Sequence, residues 1–348
     1  MVIEENVRTK NQGMTGAIIN PGAIGDCILT LPLARFLKER LSLARLDMIA
    51  NSDYVSFYPK RTCVDVVRSI NSIAMHRLFV GPDEFELDQH DQLIRDFSHY
   101  DYIVSLLGEP GGSFESNLIF TVYCSRSAEV TTIRMHPAEG QNRHVAVSYI
   151  DQYCEANGLQ CEGLSAGLNT ELITPTADDK QAGRFILQSL GVNPDKPVIG
   201  IHPGSGGKYK CWHIDNYLAL AEKVRKNGSV PVFIIGPAEK EHLNKAALNR
   251  INDEHTVAEN YKLLEIMQIL STVQAFVGND SGIAHLAAGS GLPAITVFGP
   301  TDPALYKPAG PHSHAIAVEP VDFDEPNPAA VEDVEHSLNE LLAKTGPC

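Results

Sequence analysis

Short apolar runs alternate along the chain with longer segments that carry apolar residues at helical spacing. In the first half, five such runs predict strands at residues 16–20, 46–50, 64–70, 102–107 and 130–133. Apolar positions three and four apart predict helices at residues 28–41 and 144–157. Strands that alternate with helices are typical of a parallel sheet covered on both faces. The pattern therefore predicts an α/β fold.

The second half of the chain repeats the pattern. A predicted helix at residues 178–190 comes first, and strands follow at residues 198–202, 230–235, 274–277 and 294–298. Helices are predicted at residues 214–226 and after Ser281, and helical spacing returns in the tail. The halves meet at residues 164–176, where periodicity is weakest. A chain of 348 residues suggests about two domains.

We predict two Rossmann-like domains, at residues 15–170 and 171–325. A C-terminal helix is expected at residues 326–348, and packing back onto the first domain is one arrangement open to it.

Composition narrows the classes of function. The chain has 28 Lys and Arg against 43 Asp and Glu, a net charge of −15 that argues against a nucleic-acid partner. No apolar run approaches the ~20 residues of a membrane-spanning helix, and residues 1–14 lack the apolar core of a signal peptide. The seven cysteines form no Cys-x-x-Cys pair, so we expect reduced thiols and a cytoplasmic protein.

Three loops lie between a predicted strand and a predicted helix, at the edge where parallel α/β sheets bind ligands. The first is residues 22–26, Gly-Ala-Ile-Gly-Asp. Its glycines permit close backbone approach, and Asp26 is suited to accept a proton from a substrate hydroxyl. The alternative is that Asp26 caps the following helix. The sequence leaves both roles open.

The second loop is residues 202–212. Its glycine-rich part exposes backbone N–H groups, and Lys208 or Lys210 is suited to neutralise a diphosphate. A P-loop is excluded because His202 stands where the first glycine is required and Tyr209 follows Lys208. The alternative is a solvated turn with two surface lysines.

The third loop begins a helix near residue 281. Asp280 and Ser281 are good N-cap residues, and His285 follows Ser281 by one helical turn. A helix start with Gly282 in it suits a phosphate group. The alternative is an ordinary capped helix with His285 at the surface. A further carboxylate, Glu239, follows another strand and either binds ribose hydroxyls or faces solvent.

Four motifs together resemble glycosyltransferase family 9, the ADP-heptose:lipopolysaccharide heptosyltransferases. They are Gly25-Asp26 with Leu29-Thr-Leu-Pro32, the loop at residues 202–212, Asn279-Asp-Ser-Gly-Ile-Ala-His285, and Phe298-Gly-Pro-Thr-Asp-Pro303. The resemblance spans residues 16–308. It implies a GT-B fold, in which two Rossmann-like domains with parallel sheets face each other across a cleft. The first domain would bind the acceptor and the second the nucleotide-sugar donor.

The resemblance also implies the roles of particular residues. Asp26 matches the general base of an inverting reaction that uses no cofactor and no dedicated metal site. The positions that match donor-binding residues are Ser205, Gly206, Lys210, Glu239, Asp280, Ser281, Gly282 and His285.

The predicted function is an inverting, metal-independent glycosyltransferase. Its partners would be a nucleotide-sugar donor, ADP-heptose by default, and a glycan or lipid-linked glycan of the lipopolysaccharide core type. The alternatives are a family 9 transferase with another nucleotide sugar, a sugar-nucleotide epimerase or hydrolase, and a non-catalytic nucleotide-sugar-binding protein. Residues 16–21 lack the basic residue that many relatives carry, which leaves the acceptor open.

Peripheral contact with the inner face of the membrane is a separate hypothesis. Its candidate residues are Arg126, Arg134 and Arg143, and scattered solvated arginines are the alternative.

Overall fold

The protein is described here by a computed structural model that covers residues 13–125, 128–136, 140, 142–160, 164–319 and 323–345. It contains two compact units, each built on its own parallel sheet. The first unit takes in the chain up to Pro21, Leu33–His136 and Tyr149–Gln160. The second takes in Gly22–Pro32, Pro137–Ser148 and the chain from Cys161 onward.

The first unit holds a five-stranded sheet in the order β3-β2-β1-β4-β5. Its strands are β1 (Thr15–Ile19), β2 (Arg45–Ala50), β3 (Val66–Ser69), β4 (Tyr102–Ser105) and β5 (Glu129–Thr132), and every neighbouring pair is parallel. Apolar side chains from the strands, such as Ile19, Ile49 and Ile103, are buried against Phe114 and Leu118. The apolar runs that predicted these strands are therefore the interior of this unit.

The second unit holds a six-stranded sheet in the order β11-β10-β9-β6-β7-β8. Its strands are β6 (Val198–His202), β7 (Val230–Ile235), β8 (Thr256–Glu259), β9 (Ala275–Asn279), β10 (Ala294–Phe298) and β11 (Ser313–Ala317), again all parallel. The residues of β6, β9 and β10 are all buried. The two parallel α/β units confirm the predicted fold class.

The helices follow the strands in the alternation that the sequence predicts. In chain order they are α1 (Ile24–Leu29), α2 (Leu31–Arg40), α3 (Ser52–Val55), α4 (Gln92–Phe97), α5 (Ser113–Tyr123), α6 (Val145–Ala156), α7 (Ala177–Ser189), α8 (Ile214–Lys226), α9 (Pro237–His242), α10 (Lys245–Glu254), α11 (Leu263–Leu270), α12 (Gly282–Gly289), α13 (Pro303–Tyr306) and α14 (Pro328–Thr345). Short 3₁₀ turns link several of them, including one at Met75–Phe79.

The single helix expected at residues 28–41 is two helices, α1 and α2. Helix α1 ends at a C-cap residue, Thr30, and Pro32 follows two residues later. Proline has no backbone N–H, so it cannot continue the hydrogen bonding of α1. The break separates α1 from α2 and lets α1 belong to a different unit.

Helix α1 lies in the second unit, although the predicted first domain included it. A Cβ at Gly282 would lie 2.6 Å from the Cβ of Ile24, and a Cβ at Gly289 would lie 3.3 Å from the Cγ2 of Ile28. The two glycines of α12 therefore leave the space that α1 occupies. A single predicted boundary near residue 170 therefore does not describe the division, because the second unit also contains Gly22–Pro32 and Pro137–Ser148.

The C-terminal helix α14 belongs to the second unit. Its apolar residues Val331, Val334 and Leu338 lie in the core of the second unit. Lys223 of α8 forms an ion pair with Glu335 of α14 at 2.7 Å. The helix thus packs on the second unit, because its apolar stripe completes that core.

Two further findings concern expectations from composition. Cys154 is disulfide-bonded, which corrects the expectation of reduced thiols at this position. No helix among the described residues is long and apolar enough to cross a membrane.

Candidate functional site

The glycine-rich loop after β6 is held in place by Asn279 at the end of β9. The side-chain oxygen of Asn279 accepts hydrogen bonds from the backbone N–H of Trp212 at 2.9 Å and the hydroxyl of Tyr217 at 2.7 Å. Its side-chain nitrogen donates to the carbonyl of Pro203 at 2.7 Å. One buried amide therefore joins both ends of the loop to the neighbouring strand.

Glu239 is buried at the base of this loop and does not face solvent. Its side chain is 3% exposed, and its carboxylate accepts a hydrogen bond from the backbone N–H of Gly236. The Nε2 atom of His202 lies 3.8 Å from the carboxylate, while the Nδ1 atom of His202 lies 3.0 Å from the carbonyl of Ile234. A Cβ at Gly204 would overlap the same carboxylate. Glu239 therefore shapes the start of the loop.

The tight fit between Gly204 and Glu239 predicts that alanine is tolerated less well at Gly204 than at Gly206. We expect Gly204→Ala to lower the free energy of unfolding by about 1–3 kcal/mol, because the added methyl must displace a buried carboxylate. Gly206→Ala is the matched control, since nothing lies within 4 Å of a Cβ at Gly206. Urea unfolding of both variants measures the difference. Equal stabilities would contradict the described position of Glu239.

Asp280 is the centre of the charged groups. Its Oδ2 atom accepts from Lys210 Nζ at 3.0 Å and from the Thr301 hydroxyl at 3.0 Å. Its Oδ1 atom lies 3.8 Å from His285 Nε2, which is a close electrostatic contact rather than a hydrogen bond. Burial raises the pKa of Asp280, but His285 and Lys210 lower it by more than burial raises it. The pKa therefore falls to about 2. Asp280 is therefore ionised at neutral pH.

The lowered pKa of Asp280 predicts a pH-dependent contribution to stability. Because the folded protein favours the ionised carboxylate, this contribution is present above the ordinary pKa of 3.8 and is lost as the pH falls through about 2. Asp280→Asn should therefore cost about 2 kcal/mol at neutral pH and progressively less in acid. Urea unfolding as a function of pH measures this. Asp333→Asn, at an exposed position of α14, is the control, and a pH-independent cost would contradict the assignment.

Helix α12 begins two residues after Asp280, at Gly282. Ser281 is its N-cap, and the Ser281 hydroxyl accepts from the backbone N–H of Ala284 at 3.3 Å. Gly282 makes room for Ile24 rather than for an open approach to the backbone. His285 is 4% exposed, so it is buried and not a surface histidine. Its Nδ1 atom has no hydrogen-bond partner among the described residues.

The Asp26 loop lies beside this histidine. A Cβ at Gly25 would come within 2.9 Å of the Cδ2 atom of His285, so only glycine fits against the ring without a shift. Asp26 follows directly, partly exposed, and its Oδ2 atom accepts from the backbone N–H of Ala23 at 2.9 Å. The capping role that the sequence left open is therefore present, and the carboxylate remains accessible.

All nine predicted site residues lie in the second unit, including Asp26. Ser205 is buried and donates its hydroxyl to the backbone carbonyl of Asp280 at 2.6 Å. Gly206 is exposed at the tip of the loop. The arrangement combines an accessible carboxylate, a lysine and a helix N-terminus, and such groups suit proton transfer next to a bound anion.

The sequence matches a family model over residues 125–325, and the description of the model is "Glycosyltransferase family 9 (heptosyltransferase)". This segment covers more than half of the chain. The chain belongs to glycosyltransferase family 9. The family predicted from the sequence motifs is thereby confirmed, and membership classifies the chain among the glycosyltransferases.

Individual relatives agree with the family model. The family 9 chain is 27% identical to lipopolysaccharide heptosyltransferase 2 of Salmonella typhimurium over 138 residues, which are 38% of this chain and 39% of that protein. It is 22% identical to lipopolysaccharide heptosyltransferase 3 of Escherichia coli over 82% of each chain. The first of these matches spans about two fifths of the relative's length.

A solved structure shares the fold. The structure of Escherichia coli ADP-heptose lps heptosyltransferase II superimposes with a TM-score of 0.68 at 18% identity, over 95% of this family 9 chain and 99% of that chain.

Two residues of this family 9 chain that sequence reasoning missed fix the segment after β10. The hydroxyl of Thr301 donates to Asp280 at one end of the segment, and at the other end His144 Nε2 lies 2.7 Å from the carbonyl of Lys307. Thr301 was part of a recognised motif, but nothing in the local pattern indicated His144.

Tyr306 lies in this segment, between Thr301 and Lys307. The pKa of its hydroxyl is raised, chiefly by burial; Lys210 lowers this pKa and Asp26 raises it.

Among the described residues, the His, Cys, Asp and Glu side chains close enough together to share a metal ion are Glu222, Glu254 and His255. None of them belongs to the site.

Proposed function

We propose that this family 9 chain is an inverting, metal-independent glycosyltransferase that moves heptose from ADP-heptose onto a lipopolysaccharide core or a related surface glycan. The observation that carries the proposal is the close packing of the Asp26 loop on His285. A Cβ at Gly25 would lie only 2.9 Å from the Cδ2 atom of His285. His285 in turn lies beside the Asp280–Lys210 ion pair. A potential base and a potential diphosphate site therefore occur within one unit.

The chemistry follows from these groups. Asp26 takes the proton of an acceptor hydroxyl as the oxygen attacks the anomeric carbon of the donor sugar. Attack from the face opposite the leaving diphosphate inverts the configuration at that carbon. The diphosphate gains negative charge as it leaves, and Lys210 together with the positive N-terminal end of the α12 dipole stabilises it. These cationic and dipolar groups perform the task for which other transferases use a metal ion.

The remaining residues position the donor. Gly206 is exposed at the loop tip and offers a backbone N–H group to a phosphate oxygen. The hydroxyl of Ser205 is already bonded to Asp280, so we propose that Ser205 contributes through the shape of the loop. Glu239 holds the start of the loop in place, because its buried carboxylate packs against Gly204 and accepts from the backbone N–H of Gly236. Ser281 caps the start of α12 and Gly282 lets Ile24 pack against it, so we propose that both act by positioning the N-terminal end of this helix.

The relatives' names include lipopolysaccharide and ADP-heptose, and these names support the proposed acceptor class and donor. Another nucleotide sugar is the alternative donor. Location in the cytoplasm, with a peripheral contact at the inner face of the membrane, remains part of the proposal.

Calorimetry with ADP, UDP and GDP, followed by a transfer assay with ADP-heptose in EDTA, tests the proposal. We expect selective ADP binding, transfer in EDTA, and a product whose anomeric configuration, read by NMR, is opposite to that of the donor. Stronger binding of UDP or GDP would contradict ADP-heptose as the donor and indicate a sugar carried by that nucleotide instead. Loss of transfer in EDTA would contradict metal independence, and retention of configuration would contradict inversion.

A further inference from the structure

Two segments of the second unit run along helix α12, and the first of them carries Asp26. Gly282, at the start of α12, makes room for Ile24 of helix α1. Gly289, at the end of α12, does the same for Ile28. Asp26 stands between these two contacts in the chain, and it is partly exposed. The proposed base therefore lies alongside α12.

The second segment is residues 301–310, which follow strand β10. At its start, the Thr301 hydroxyl donates to Asp280 Oδ2 at 3.0 Å, next to the N-terminus of α12. At its end, a Cβ at Gly310 would overlap the carbonyl oxygen of Ala288, in the last turn of α12. This segment therefore runs along the length of α12, as α1 does.

Tyr306 is held between two fixed points of the second segment. Asp302 caps the short helix α13 by accepting from the backbone N–H of Ala304 at 2.8 Å, and Tyr306 is the last residue of that helix. The next residue, Lys307, has its carbonyl oxygen 2.7 Å from His144 Nε2. The backbone that carries the Tyr306 ring is therefore fixed on both sides.

The hydroxyl of Tyr306 lies near the charged groups of the candidate site. Burial raises its pKa, and among the neighbouring charges Lys210 lowers the pKa while Asp26 and Asp280 raise it. Charges act on a partly exposed group in this way only from a short distance. The ring is partly buried, yet its hydroxyl has no hydrogen-bond partner among the described residues. A ligand is therefore free to bind this hydroxyl.

The charges around this hydroxyl are two carboxylates and one ammonium group, and no described arginine acts on it. Of the arginines considered for membrane contact, Arg134 is paired with Glu109 in the first unit at 3.2 Å. Arg143 is exposed, and Arg126 lies outside the described residues. Two carboxylates repel a further anion, so an uncharged group is the better partner for the hydroxyl.

The proposed reaction places an uncharged group at this point. Asp26 acts on the acceptor hydroxyl and Lys210 acts on the leaving diphosphate, so the transferred sugar lies between these two residues. A hydroxyl that is near both of them is next to that sugar. A phenol donates one hydrogen bond and accepts another, which matches the hydroxyl groups of a sugar.

We propose that Tyr306 is a specificity-determining residue whose phenolic hydroxyl binds a hydroxyl group of the transferred sugar. The proposal rests on the proposed function and adds a contact that selects the sugar rather than the nucleotide. A site that binds a substrate hydroxyl by a hydrogen bond discriminates against substrates that lack it. Tyr306 therefore favours donors whose sugar carries a hydroxyl at this point.

Calorimetry and transfer assays on Tyr306→Phe test the proposal, because phenylalanine keeps the ring and removes only the oxygen. We expect ADP-heptose, without acceptor, to bind about tenfold more weakly. ADP binding should not change, since ADP lacks the transferred sugar. The kcat/KM for the donor should fall by at least about tenfold. Urea unfolding should be unchanged, whereas a structural role of the hydroxyl would lower the stability.

The matched control is Tyr123→Phe, which removes the same oxygen from a side chain that is 66% exposed on α5 of the first unit. We expect it to bind and transfer as the wild type does. Unchanged ADP-heptose binding in Tyr306→Phe would overturn the proposal, and a higher KM for the acceptor alone would assign the hydroxyl to the acceptor. Equal losses of ADP and ADP-heptose binding would overturn it in favour of a diphosphate contact. A wild type that neither binds ADP nor transfers heptose would contradict the proposed function itself, and this contact with it.

Discussion

Asp26→Asn is expected to lower the rate of sugar transfer by about 10²–10⁴-fold, because it removes the proposed general base. Asparagine is the informative replacement. Its side-chain oxygen can still accept the hydrogen bond from the backbone N–H of Ala23, which Asp26 Oδ2 accepts at 2.9 Å. Alanine would remove that cap as well and cost about 1 kcal/mol of stability. The measurement is kcat with ADP-heptose and a glycan acceptor, together with calorimetric ADP binding, which should not change.

The companion variant Asp26→Ala separates the two roles of this carboxylate. If Asp26 acts only as a helix cap, the alanine variant loses stability and the asparagine variant keeps full activity. That result would remove Asp26 from the mechanism and favour a non-catalytic nucleotide-sugar-binding protein or a base elsewhere. Inactivity of both variants with normal ADP binding supports the proposed role.

Lys210→Met is expected to lower kcat by about 10²-fold and to weaken ADP binding, because the leaving diphosphate loses its cation. Methionine keeps most of the packing of the lysine stem. The variant also leaves Asp280, which is 7% exposed, with Thr301 and His285 as its described side-chain partners, so some loss of stability accompanies it. Steady-state kinetics and ADP calorimetry measure the two effects.

The matched control is Lys208→Met, two residues earlier in the same loop. Lys208 is exposed, whereas Lys210 is 3.0 Å from Asp280. A general effect of positive charge on the loop would appear in both variants. Equal effects would therefore contradict a specific role for Lys210, and an effect confined to Lys210 supports it.

Buried elements were predicted most accurately from the sequence. The strands β6, β7 and β10 have the predicted bounds, and their residues are almost all buried. The strands β8 and β11 were missed. They form the two edges of the second sheet, and several of their residues are partly or fully exposed. An edge strand does not need a continuous apolar run, so its periodicity is weak.

The candidate site was predicted in part. The motifs identified Lys210, Asp280 and His285, which the structure brings together, and the Ser281 cap is present as expected. For Glu239 the sequence left two roles open, contact with a ligand or a side chain that faces solvent. Its burial excludes the second role. Thr301 and His144 were not identified as site residues, because each acts through one hydrogen bond to a residue far away in sequence.

By itself, the sequence determined the α/β class, the alternation of elements, the family, and the residues at the ends of the strands. Local periodicity reports whether each segment is buried, and motifs report which side chains follow each strand. Only the tertiary structure decided that α1 belongs to the second unit and that Gly25 lies against His285. It also decided that Gly282 accommodates Ile24 rather than an open approach. These contacts join residues about 260 positions apart, and no local pattern encodes a partner at that distance.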